Sequence, residues 1–235
     1  MTGEAKGPGG SKIYRHTERM QQLRNEGGES EALIEAIIAH MTAQVGAPAR
    51  VLHERLPSSQ AIDIHIVPPG DEPVLTLFTT GMSEHPMTMP AGVPLPRRAE
   101  LILRLPETWP ITEEALTNPR TSWPIQWLRT LARLPRRYGT WLAPTHTIPN
   151  GEPPQPLSVD TRMCCMFTVP PICVEDKADV LETPRGPVML ISVVPIYEAE
   201  MRFKLERGAD ALIERMAAAG CDDVVDVDRA PVCAP

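Results

Sequence analysis

Three consecutive segments constrain this chain more than any other feature. In "AIDIHIV" (residues 61–67), Ile62, Ile64 and Ile66 alternate with Asp63 and His65. "PVLTLFTTG" (73–81) is apolar and rich in strand formers, and "AELILRL" (99–105) alternates again, with Leu101, Leu103 and Leu105 on one side. A repeat of two is the period of a strand, whose side chains point alternately to opposite faces. Strands that follow one another through short loops pair antiparallel, because a parallel pair needs a long crossover. "ARVLHERL" (49–56) extends the series to four. "MCCMFTVPP" (163–171) and "GPVMLISVVPI" (186–196) are apolar enough for two more buried strands. The polar positions Asp63 and His65 are expected on a less buried face of the sheet.

Helices frame this strand block. "SEALIEAIIAHMTAQVG" (30–46) places Leu33, Ile34, Ile37, Ile38, Met41 and Val45 on one stripe, with Ser30 as N-cap and Gly46 as stop. "SWPIQWLRTLARLPRRYG" (122–139) predicts a second helix capped by Ser122, with Pro124 in its first turn and Pro135 ending or kinking it. "YEAEMRFKLERGADALIERMAAAG" (197–220) is helical with a break at Gly208. "IYRHTERMQQLR" (13–24) has the pattern of a short helix, whereas residues 1–12 are Gly-rich and polar. The division that follows is a loosely attached or disordered tail over 1–25, one domain over 26–220, and an acidic tail over 221–235. Ile62, Ile64, Ile66, Leu75, Leu77, Leu101, Leu103, Trp127, Leu131, Val188, Leu190 and Ile191 are the expected core. They come from both halves of the chain and so predict a single domain.

Composition excludes several functions. A net charge of −7 argues against nonspecific nucleic-acid binding, which needs clustered Lys and Arg, and favours a basic partner. No apolar run reaches the length of a membrane span, and "MTGEAKGPGGSK" has no apolar signal core, so the expected location is cytoplasmic with no membrane partner. There is no Walker A or GxGxxG motif, so no phosphate or dinucleotide cofactor is expected. Cys164, Cys165, Cys173, Cys221 and Cys233 show no CxxC spacing and read as small hydrophobes, with Cys233 the most accessible. No HExxH or comparable ligand spacing supports a metal site.

The stretch "TLFTTGMSEHPMTMP" (76–90) poses the chemical question. Ser83 follows a strand at a glycine, as a nucleophile does, but in "GMSEH" His85 stands where a nucleophile elbow requires its second glycine. A serine hydrolase using Ser83 with His85 or His146 is the catalytic alternative. The other reading makes Gly81 and Ser83 a structural turn: Gly81 supplies a positive φ and Ser83 satisfies local backbone groups. On that reading Asp63, His65, Met82, Glu84, His85 and Met87 are candidates for a partner-facing surface, methionine being an adaptable contact residue.

That stretch, "RAELILRLPETWP", "WPIQWLRTLARLPRRYGTWLAPTHTI" and "VMLISVVPIYEAEMRFKLERGADAL", preceded by "IDIHIVPP", resemble in order and spacing the suppressor of fused family, bacterial single-domain type, over about residues 47–217. The resemblance implies an α+β fold, a mixed and largely antiparallel sheet flanked by helices in one domain, with no catalytic residues. Animal relatives sequester a transcription factor by clamping an extended peptide between two domains, a device this single domain does not carry over. Bacterial members resemble immunity proteins that neutralise a toxin by stoichiometric binding. The expectation is therefore a non-catalytic domain with a protein partner, a cognate toxin. A cytoplasmic scaffold unrelated to toxins is the remaining alternative.

Overall fold

The computed structural model describes residues 3–6, 12–15, 27–54 and 60–233. Near the N-terminus, β1 (Gly3–Lys6) and β2 (Lys12–Arg15) pair antiparallel as a two-stranded sheet of their own. Residues 13–15 are thus strand, not the start of the expected helix, and residues 16–26 lie outside the described residues. Helix α1 (Gly27–Val45) follows, and Gly46 takes a positive φ directly after it.

The main sheet has eight strands: β3 (Arg50–Leu52), β4 (Asp63–Val67), β5 (Val74–Thr80), β6 (Arg98–Pro106), β7 (Thr147–Pro149), β8 (Cys165–Val169), β9 (Val180–Leu181) and β10 (Val188–Ile196). Their order is β3-β4-β5-β6-β10-β8-β7, with β9 pairing β10 as well. The β6–β10 pair is parallel and every other pair antiparallel. The architecture is α+β, and the predicted meander β3 to β6 forms as a unit. Sequence reading missed β7 and β9, which are too short to show a period.

Alternation along β10 sorts the layers. Met189, Ile191 and Val193 join Ile64, Leu77, Leu101 and Leu103 in one core. That core is covered by Trp123, Ile125, Leu128 and Leu131 of α3 (Pro119–Tyr138). Val188 and Leu190 point the other way, onto Leu33, Ile37 and Met41 of α1. Val194 and Ile196, on that second face, meet Leu212 and Met216 of α5 (Ala209–Ala218), which follows α4 (Glu198–Arg207). Both faces of the sheet are therefore covered. Of the twelve expected core residues only Trp127 keeps appreciable exposure. His65 is a correction: its face is roofed by α1, and the ring is buried and stacked on Phe78 at 4.7 Å.

Local chemistry sets the helix ends. Helix α3 begins a turn before the expected Ser122, because Asn118 accepts from the Arg120 amide at 3.0 Å and Pro119 takes the first helical position. Ser122 is buried instead, and Pro135 does not stop the helix, which runs to Gly139 in the left-handed conformation. Thr112 caps the short α2 (Glu113–Thr117), an element the sequence did not announce.

The C-terminal segment, residues 221–233, packs onto the domain, with Val225 in the α3-side core and Cys233 beside α5. The Val225 amide donates to the Arg104 carbonyl at 2.9 Å, and Arg104 Nη1 donates to buried Asp223 at 2.8 Å. The fully buried Glu200 receives Arg229 Nη1 at 2.6 Å and the Val232 amide at 2.9 Å. Isolated, either buried charge would carry a penalty of several kcal/mol, so the segment completes the fold electrostatically. Cys233 is buried there, contrary to its expected accessibility, while Cys173 and Cys221 are only partly covered. Burial raises the thiol pKa of Cys164, Cys165 and Cys233, and brings Cys173 to about 11. Alkylation of the folded protein followed by peptide mapping should modify the partly exposed Cys221 first, with Cys173 held back by its raised thiol pKa. Rapid labelling of Cys164 or Cys165 would contradict the inert packing described here.

Candidate functional site

The corner after β5 is built around one buried carboxylate. Gly81 has φ 107°, and a Cβ built there would lie 2.2 Å from the Ala61 carbonyl oxygen. Only glycine fits, on both conformational and steric grounds. The turn directs the Gly81 amide, the Ser83 amide and the Ser83 hydroxyl to Glu100 Oε1 at 3.0, 2.9 and 2.6 Å. Thr79 donates its hydroxyl to Oε2 at 2.6 Å. Glu100 is fully buried; burial pushes its carboxyl pKa up, opposed by the bonds from Ser83, Thr79 and Gly81. Ser83 is also fully buried, and its hydroxyl proton goes to this carboxylate rather than to a histidine.

The rest of the loop is pinned. The Met87 amide donates to the Arg97 carbonyl at 2.6 Å, its sulfur accepts from the Leu142 amide at 3.3 Å, and the Thr88 amide donates to the Thr140 carbonyl at 3.0 Å. Met82 and Met87 are buried in the α3-side core, so neither belongs to a surface; the corner folds them inward as packing. His65 bonds Thr80 Oγ1 at 3.0 Å through Nε2, and its pKa is lowered by burial. Of the six candidate surface residues, Asp63, Glu84 and His85 keep solvent exposure. Asp63 accepts from His53 at 2.8 Å and from the Glu54 amide at 3.1 Å. Glu84 accepts from Ser30 of α1, and its carbonyl receives Arg98 at 2.8 Å. Burial, then the Arg136 charge, lower the His85 pKa. His146 lies edge-on to Trp141 at 4.5 Å, and burial drives its pKa to about 4, so its ring is neutral at physiological pH.

Sequence reading missed Glu100. Its signal was visible: Glu100 and Arg104 interrupt the second face of a strand that reads as core, and a charge in a doubly covered strand demands partners. Among the described residues no three His, Cys, Asp or Glu side chains converge as a metal site, and no helix is long and apolar enough to cross a membrane.

At the opposite end of β6 a half-open groove of about 550 Å³ lies between the residues after that strand and the C-terminal segment.

The sequence profile of suppressor of fused protein matches residues 58–230. The chain belongs to the suppressor of fused family. No curated protein sequence matches significantly. Solved suppressor of fused structures share the fold. A chain from "the Sufu-Fu complex" superposes with a TM-score of 0.64 at 18% identity, covering 86% of this chain and 92% of that one. A suppressor of fused homologue from Neisseria gonorrhoeae gives 0.63 at 14% identity, covering 86% and 98%. Drosophila Suppressor of Fused gives 0.63 at 18% identity and 86% coverage, this chain spanning 51% of its length. The suppressor of fused fold thus frames the corner: Ser83 and Glu100 lie inside the matched region.

Proposed function

We propose that this chain is a non-catalytic protein-binding domain that neutralises a cognate toxin by stoichiometric binding. The observation that carries the reading is the Ser83–Glu100 bond of 2.6 Å. The serine that could have served as a nucleophile is buried and holds a corner, its hydroxyl donating a hydrogen bond to a carboxylate. The matched complex concerns another protein, Sufu with Fu, but supports the general mode of action. A net charge of −7 favours capture of a basic partner, since opposite potentials raise association rates. At the corner, Asp63, Glu84 and His85 are the residues a partner could reach.

The test titrates wild type and Ser83→Ala against the product of the adjacent gene, assayed for toxicity. Both proteins should inhibit until equimolar and then saturate, with Ser83→Ala losing about 1.5–3 kcal/mol of stability, the worth of one hydrogen bond to a buried carboxylate. Turnover-like neutralisation below equimolar amounts, eliminated by Ser83→Ala, would overturn the proposal in favour of the hydrolase.

A further inference from the structure

The groove beyond β6 has a definite chemistry. Its apolar wall includes Pro106, Trp109, Pro110 and Val227. The Trp109 indole is fixed in place: Nε1 donates to the Thr121 carbonyl at 3.0 Å, and the ring stands edge-on to Trp123 at 5.9 Å. The C-terminal segment also contributes Asp222, Asp226 and Asp228 to the lining, all exposed. Asp222 and Asp226 each use one oxygen to hold a loop amide, at 2.8 and 2.9 Å. Asp228 has no side-chain hydrogen bond or ion pair among the described residues. The lining also contains Arg229, but its guanidinium is compensated by fully buried Glu200 and lies over the Tyr197 ring at 5.0 Å. It therefore does not neutralise the rim.

A groove lined by a fixed tryptophan, prolines and three carboxylates selects a particular occupant. A guanidinium gains from the indole face and from the carboxylates together, and aliphatic or proline neighbours cover the wall. Because Trp109 and the loop are already ordered, little further entropy is lost on binding. We propose that this groove receives an extended, arginine-bearing segment of the partner protein. The inference rests on the protein-binding reading above and names the chemistry of the partner and its seat.

The experiment measures binding of a short capped peptide of repeating arginine, proline and leucine by calorimetry. Wild type is compared with Asp228→Lys, with Thr108→Trp, which fills the groove from an exposed lining position, and with Glu35→Lys on α1 as a control of equal charge change. Circular dichroism verifies that each variant is folded. Affinity should fall about tenfold or more for Asp228→Lys and for Thr108→Trp, and by less than about twofold for Glu35→Lys; added salt should weaken the wild-type complex. No binding by wild type at low salt, or equal losses from Asp228→Lys and Glu35→Lys, would refute the groove. A parallel toxin titration separates the two proposals. Failure of wild type to neutralise removes the binding reading. Full neutralisation by a folded Asp228→Lys/Thr108→Trp double variant removes only the groove.

Discussion

Gly81→Val should destabilise the protein by about 2–6 kcal/mol, a large part of the roughly 5–15 kcal/mol available to a domain. Two separable costs add. A valine at φ 107° is in a region that branched side chains avoid, which costs about 1–3 kcal/mol. A Cβ 2.2 Å from a backbone oxygen forces β4 and β5 apart, and overpacking of this kind costs about 1–3 kcal/mol or more. Gly92→Val separates them. Its φ is 82°, yet nothing lies within 4 Å of an added Cβ, so it carries the conformational cost alone. Urea denaturation of the two variants gives the comparison directly. If Gly81→Val is no worse than Gly92→Val, the close approach of Ala61 has no energetic meaning.

Glu100→Ala should cost about 2–4 kcal/mol. The two hydroxyls of Thr79 and Ser83 can rotate to other acceptors, but the Gly81 and Ser83 amides are fixed and lose their partner at about 1–3 kcal/mol each. Release of the carboxylate from its buried setting offsets part of the loss. The pH dependence has a definite sign. Because the folded-state pKa is raised, the folded protein holds this proton more tightly than the unfolded chain does. The associated stability is fully present below about pH 4.3, the ordinary glutamate value, and is lost as pH rises through the folded-state pKa. Glu100→Gln has no such proton. The stability of wild type relative to Glu100→Gln should therefore decline across that window. A constant difference over the whole range would show that Glu100 titrates alike in both states.

The elements legible in the sequence were those whose pattern repeats enough to average out exceptions. β4 and β6 announced themselves by alternation, β5 by a run of apolar strand formers, and α1 by its stripe of Leu33, Ile37 and Met41. The corner was readable at Gly81, where one residue type answers one backbone demand. What escaped was long-range. Nothing near Met82 or Met87 in sequence says that Leu142 and Thr140 will close over them, so a methionine-bearing loop resembled a surface. His65 looked exposed because alternation reports which residues share a face, not whether a helix covers that face. Glu100 and Asp223 lie far apart in the chain from several of the groups they bind, and the segment after Gly220 looked like a tail because its four aspartates and its prolines break up any helical or strand period. Asp223 is buried through Arg104 and Ser192, partners that sequence pattern does not connect to it.

The parallel pairing of β6 with β10 has a kinetic consequence. On one side of that seam lies a meander whose strands are near neighbours in sequence; on the other, β7, β8 and β9 gather around β10. The seam itself closes only when Val188 reaches Arg98 across the long excursion that contains α3. Closing so large a loop must be met entropically before any seam hydrogen bond forms, which makes this the slow step of a topology rich in distant pairings. Until then the apolar edges of β6 and β10 are both open, and each is a template for the wrong strand. The central pair, the most protected part of the finished protein, is thus the most vulnerable part of the unfinished one.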